Sequence, residues 1–107
     1  MIARSWSAHA TEEGAEHYVS HFQQKVAPQL QQIQGYRGVL LLRRERDHEV
    51  GIQVLTFWDT MASIHQFAGL NPDNAVVEEE AKAVLQDFDA RVAHFKVVLD
   101  IRDSSPV

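Results

Sequence analysis

The sequence predicts an α+β domain ordered strand, helix, strand, strand, helices, strand. Three observations predict it. Apolar and polar residues alternate with period two at both ends of the chain, from Ile2 to Ala8 and from Arg91 to Ile101. Two apolar runs, Tyr36 to Arg46 and Val50 to Trp58, flank a short polar turn at Asp47-His48-Glu49 and read as a hairpin. Between these strands lie apolar stripes at helical spacing. That order is the split βαβ, ferredoxin-like arrangement βαββαβ, with a four-stranded antiparallel sheet. The 107 residues suit one domain, placed at residues 1–101, with a C-terminal tail at 102–107.

Each element has its own signal. In the first strand Ile2, Arg4, Trp6 and Ala8 share a face. Arg4 beside Trp6 must find a carboxylate, carbonyls or a ligand, because a buried guanidinium without a partner is costly. Thr11 offers an N-cap, and Glu12, Glu13 and Glu16 favour the positive end of a helix dipole. The stripe runs Ala15, Tyr18, Val19, Phe22, Val26, Leu30, Ile33. Pro28 removes a backbone donor and predicts a kink near Gln24, and Gly35 suits the C′ position. After the hairpin, Asp59 and Thr60 offer an N-cap, Met61, Ile64 and Phe67 form a short stripe, and Gly69 ends it. Leu70 to Asn74 is a turn cluster with Pro72, so Thr56 to Val77 reads as a strand and capped helix leading into the lip of a pocket. A further helix is predicted from Glu78, with Ala81, Val84, Leu85 and Phe88 as its stripe. Asp89-Ala90 then turns into the last strand.

Helices on one side of such a sheet cover only one face. Yet Val39-Leu40-Leu41-Leu42 is apolar on both faces, and the third strand nearly so, with Leu55 and Phe57 opposite Ile52, Val54 and Trp58. An exposed apolar patch of that size is rare on a monomer, so a homodimer with sheets packed face to face is expected.

Composition narrows the partners. Net charge is -5 with both signs interspersed, which disfavours nucleic acid and anionic membrane surfaces. There is no cysteine, hence no disulfide, iron–sulfur cluster or thiolate zinc site. Met1-Ile2-Ala3-Arg4 lacks the apolar region of a signal peptide, and no run approaches the roughly 20 apolar residues of a membrane span. A soluble, cytoplasmic protein is expected.

The whole chain resembles the antibiotic biosynthesis monooxygenase family of the dimeric α/β-barrel superfamily. The matching residues are Ile2-x-Arg4-x-Trp6, Tyr18, Gly35-Tyr36-Arg37-Gly38-Val39 and Leu42-Arg43-Arg44-Glu45. They continue with Thr56-x-Trp58-Asp59-Thr60, Phe67-Ala68-Gly69, Ala75-Val76, Phe88-Asp89 and Val92-x-His94-Phe95-x-Val97. Phe95 and Lys96 stand where the family usually has Tyr and an acidic residue. The resemblance implies a dimeric α/β barrel with a pocket between sheet and helices. It covers cofactor-free oxygenases of phenolic or quinol-type compounds, heme-degrading enzymes and proteins of no assigned activity. The heme-degrading members use an Asn, Trp and His set. This chain has no Asn in the first strand, Phe67 in place of the Trp, and no His between Asn71 and Val77.

The candidate chemistry centres on His94 and Arg4, whose strands are neighbours in this topology. A neutral imidazole can take a phenolic proton, and Arg4 can hold the oxyanion. Trp6, Trp58 and Phe67 are the candidate substrate-binding residues. The expected function is a cofactor-independent monooxygenase of a small aromatic compound. The alternative is a non-catalytic dimeric ligand-binding domain, in which His94 and Arg4 serve assembly. Glu13, His17 and His21 recur every four residues, but no partner orients them and no metal is assigned. His65 falls off its stripe and is expected in solvent. No phosphate loop, Ser nucleophile motif, flavin fingerprint or nicotinamide fingerprint is present, so no cofactor is expected.

Overall fold

β1 (Ile2–Ala10) is the strand around which the sheet is built. It pairs antiparallel with β3 (Glu49–Trp58) along its whole length, from Ile2 opposite Trp58 to Ala10 opposite Val50. β3 pairs in turn with β2 (Tyr36–Arg46) through a tight turn at Asp47 and His48, both at positive φ. Two adjacent left-handed residues give the turn twist that matches a right-handed hairpin. This is a computed structural model, and it describes residues 1–102. The tail expected at 102–107 lies outside that range except for Arg102.

The other edge of β1 is shared by two short strands, β4 (Asp87–Phe88) and β5 (Ala93–Lys96). The sheet order is therefore β2-β3-β1 with β4 and β5 together in the fourth position, the ferredoxin-like order. Here the sequence expectation needs correction. The last helix, α4, spans only Glu79–Lys82, and Phe88 lies in a strand opposite Ala8. β5 covers β1 only from Ile2 to Ser5, leaving the backbone groups of Ser7 to His9 open. Gln86 donates to His9 O (2.8 Å) and Asp89 to Ser7 O (2.9 Å). Satisfying that unpaired edge outweighs continuing a short helix.

The first helical stretch comes in three pieces. α1 (Glu12–His21) is capped by Thr11, which accepts from Gly14 N–H at 3.0 Å. A π-helical turn covers Phe22–Val26, and α2 (Ala27–Gln31) follows with Pro28 in its first turn. The irregularity expected near Gln24 is thus a π-turn, closed by Ala27 N–H on Phe22 O. Its effect is positional. Residues four apart drift by about 40° per step on an α-helix of 3.6 residues per turn. The wider turn takes up part of that drift, so Tyr18, Phe22, Val26 and Leu30 all face the sheet and line one cavity.

Gly35 is not the helix C′ residue, because α2 ends at Gln31. It sits at φ 93° in the turn into β2, and its carbonyl accepts from Asp59 N–H at 2.8 Å. A Cβ there would meet the Ser63 side chain, with Ser63 Cβ only 2.8 Å away. Gly35→Ala should therefore cost about 2–4 kcal/mol from left-handed strain plus overlap. Thermal unfolding checks this, and Ser63→Gly in the same chain should recover part of the loss.

α3 (Met61–Ala68) is capped by Thr60, which accepts from Ser63 N–H at 3.2 Å, and is closed by Gly69 at φ 81°. Asp59 instead holds Arg37 in a paired contact, both bonds at 2.6 Å. The core lies between the helices and one sheet face, with Trp58, Leu30, Ile64 and Val50 fully buried. The opposite face carries Leu40, Leu55, Phe57 and Phe95, joined by register across the four strands. Leu40 is 39% exposed and Phe95 56%. Arg102 stacks over Phe57 at 5.2 Å, so the segment after β5 runs back over this open face with Leu99 and Ile101 exposed. Among the described residues no helix is long and apolar enough to cross a membrane.

Candidate functional site

The register of β1 places Thr56, Arg4 and His94 side by side across three strands on the helix-covered face. Arg4 is 4% exposed. Its guanidinium donates to Pro72 O, to Asn74 O at 2.8 Å and to His94 Nε2 at 3.0 Å. The requirement read from the sequence is thus met by carbonyls and an imidazole rather than a carboxylate. Arg4 also lies over the Phe67 ring at 5.8 Å, and Phe67 stacks on Trp58 at 5.9 Å. Burial holds the Arg4 pKa below the ordinary arginine value, and nearby Asp73 opposes that shift. The group stays charged across the working pH range.

A donor at Arg4 fixes the state of His94. Nε2 must accept, so the ring is neutral with its proton on Nδ1, which faces Asp73 at 3.5 Å. Burial lowers the His94 pKa, Arg4 lowers it further, and Asp73 pulls it back up. The linkage sign follows. Between the ordinary histidine value of about 6.5 and the depressed folded value, the unfolded chain holds the extra proton. This residue's contribution to stability is therefore full above the ordinary value and lost as pH falls through the folded one. His9 works in the opposite sense, because its bond to Asp87 raises its pKa. His94→Gln leaves His9 in place and should lose less stability on acidification than the wild type. Unfolding midpoints across the histidine pH range check this.

The loop tied by Arg4 is stitched again to the segment before β5. Ala75 N–H donates to Ala90 O (2.9 Å) and Val92 N–H to Asp73 O (2.8 Å). Beyond it Val76, Val77 and Glu78 close one side of a cavity between sheet and helices. The cavity measures about 60 Å³. That is room for several waters, since one needs about 10–15 Å³. Arg4, Trp6 and Phe67 line it from the sheet and α3. Tyr18, His21 and Phe22 line it from the first helical stretch.

The sequence-derived residues divide accordingly. Arg4, Trp6 and Phe67 stand on the cavity wall. The Trp6 N–H is already committed to Asp89 O at 2.8 Å, which leaves its ring as the contact surface. Trp58 is fully buried and backs Phe67, with its N–H on Thr56 Oγ1 at 2.9 Å. His94 lies behind Arg4 rather than on the wall. His65 is exposed, as expected, and contacts Gly69 O at 2.9 Å. His17 stays near Glu13 (3.7 Å) on the exposed face, whereas His21 turns inward, so the three candidate ligands of α1 do not converge.

His21 is the residue whose place here was not read from the sequence. Its side chain is 8% exposed, with Nδ1 3.3 Å from Glu80 and Nε2 3.6 Å from Glu78. Both ring nitrogens are buried without a hydrogen bond. The signal was its position three residues after Tyr18, which puts it on the edge of the apolar stripe. Tyr18 itself has its pKa pushed up by burial and by Glu78, so its hydroxyl remains a donor.

Comparison with known proteins bears on the fold. No family model matches the chain, and no curated protein matches it. Solved structures do. A candidate antibiotic biosynthesis monooxygenase from Bacillus cereus aligns at TM-score 0.64 and 13% identity, over 95% of this chain and 97% of that one. A second, from Deinococcus radiodurans, aligns at TM-score 0.64 and 15% identity, over 98% and 100%. A mutant of MhuD with two manganese protoporphyrin IX bound per active site aligns at TM-score 0.61 and 20% identity, over 96% and 100%. The residues here do not fit a porphyrin in this arrangement. The cavity of about 60 Å³ is far too small for a macrocycle, and Arg4 occupies the His94 Nε2 lone pair. The chain has the ferredoxin-like fold of the antibiotic biosynthesis monooxygenase structures.

Proposed function

We propose that this protein works as a cytoplasmic homodimer, open sheet face against open sheet face, and oxidises a small phenolic or quinol-type compound with dioxygen without a cofactor. The observation that carries the reading is Arg4, a buried guanidinium on the wall of an aromatic-lined cavity. A ring stacked near Phe67 and Trp6 brings its oxygen to Arg4. The hydroxyl displaces Arg4 from His94, gives its proton to the freed Nε2, and leaves an oxyanion held by the guanidinium. The anion reacts at carbon with dioxygen. In net terms a ring CH2, as in the keto form of a phenol, becomes C=O, and the second oxygen atom leaves as water. The substrate supplies all four electrons.

A second reading, a non-catalytic ligand-binding dimer, has its own support. Arg4 already bonds three partners of the protein and His94 sits behind it, an arrangement that would serve as a loop latch. His94→Ala separates the two. Catalysis predicts lower turnover from an intact dimer. The latch predicts altered affinity or thermal stability and no oxygen uptake.

Native mass spectrometry of freshly purified protein is the first test. A dimer, with or without an extra small-molecule mass, fits the proposal, and a bound mass hands over the ligand. A monomer at all accessible concentrations contradicts it.

A further inference from the structure

We propose that His21 is a ligand-contacting residue of the cavity, one that holds the hydroxyl of the aromatic compound on binding, before Arg4 leaves His94 to take it. The inference rests on the reading of the cavity as an aromatic site. It adds a polar anchor contributed by α1 rather than by the sheet.

Three observations support it. His21 lines the cavity, yet its side chain is 92% buried by the complement of its 8% exposure, and neither ring nitrogen has a hydrogen bond within the protein. Buried polar atoms are nearly always paired, so a group left unpaired beside a cavity marks a place where something else completes it. Second, Glu78 and Glu80 flank the ring, with Glu80 3.3 Å from Nδ1 and Glu78 3.6 Å from Nε2. Those contacts hold the imidazole between two carboxylates without tying up either nitrogen in an aligned bond. Third, His21 is the last residue of α1, where the π-turn begins. The turn carries Phe22 and Val26 onto the cavity wall next to it. The walls between are apolar, so a hydroxyl entering the cavity has few polar partners besides Arg4, Thr56, Tyr18, His21 and Glu78. Of these, Arg4 is committed to Pro72, Asn74 and His94 until the reaction displaces it, and Thr56 already accepts from Trp58. Among the described residues His21 alone has buried side-chain polar atoms without a hydrogen bond.

The test uses para-fluorophenol and para-fluorotoluene as probes, followed by fluorine NMR on the intact protein. They differ in hydroxyl against methyl at nearly constant shape. The wild type should bind the phenol about tenfold more tightly, the worth of one added hydrogen bond. His21→Leu should bring the two affinities together while keeping para-fluorotoluene binding. It should also leave the unfolding midpoint unchanged or raised above the histidine range of pH, because an unpaired buried polar group is replaced by an apolar one. A merely structural ion pair with Glu78 and Glu80 predicts instead a midpoint lowered below the histidine range of pH, where an imidazolium can pair with carboxylates. His21→Asn, which can still bond a hydroxyl, should restore part of the preference. Equal binding of both probes by the wild type, or a phenol preference that survives in His21→Leu, overturns the inference while leaving the cavity reading intact. Binding of neither probe overturns the cavity reading and this inference with it.

Discussion

Arg4→Met lowers the thermal unfolding midpoint by about 15 °C, the equivalent of about 3 kcal/mol in a domain of this size. The methionine keeps much of the volume over Phe67, so the loss comes from the bonds. Pro72 O, Asn74 O and His94 Nε2 lose their donor together. Leaving a buried acceptor unpaired costs about 1–3 kcal/mol. Loosening of the Leu70 to Asn74 loop lets water reach some of these acceptors, which is why the three costs do not simply add. Two further readouts locate the effect. Amide exchange at Ala75 and Val92, whose bonds stitch the loop to the segment before β5, should speed up. The His94 pKa should rise, because the positive charge that helps depress it is gone. A midpoint within a few degrees of wild type would mean that Arg4 does not hold the loop.

Leu40→Glu gives the second large effect, on assembly. Leu40 lies opposite Leu55 in the middle of the open face, with Ser5 next in the register. In a face-to-face dimer the new carboxylate is carried into an apolar interface twice, once from each copy. An unpaired buried charge costs several kcal/mol, so dimer affinity should fall by about a hundredfold or more. Because Leu40 is already 39% exposed within one copy, the fold itself should survive. Sedimentation at a series of concentrations reads both, and an unchanged dimer would place the interface elsewhere.

The row Thr56–Arg4–His94 shows what the sequence made legible. Period-two alternation assigns each residue to a face, and ferredoxin-like connectivity makes the first and last strands neighbours. Face and neighbour together are enough to bring Arg4 to His94. Alternation also separated Phe95 from His94 correctly, since Phe95 pairs with Ala3 on the open face. Trp58 shows where alternation stops. It gives the correct face but not the depth, and Trp58 lies behind Phe67. Phe88 failed for a different reason. Its helical spacing from Ala81, Val84 and Leu85 was genuine, but the unpaired edge of β1 at Ser7 to His9 is a long-range demand that no local pattern displays. His21 was drawn into the four-residue pattern with Glu13 and His17. Its three-residue relation to Tyr18 was the one that mattered, and Glu78 and Glu80 reach it from far along the chain.

The central claim, oxygen insertion into a small phenolic or quinol-type compound, is tested most directly by turnover under heavy-isotope dioxygen. Oxygen uptake and product mass would be followed over a panel of such compounds. The predicted result is one dioxygen consumed per product, with one labelled atom in the product and the other in water, and with loss of the activity in Arg4→Met. No enzyme-dependent uptake with any compound, or uptake that the Arg4 variant retains in full, would contradict it.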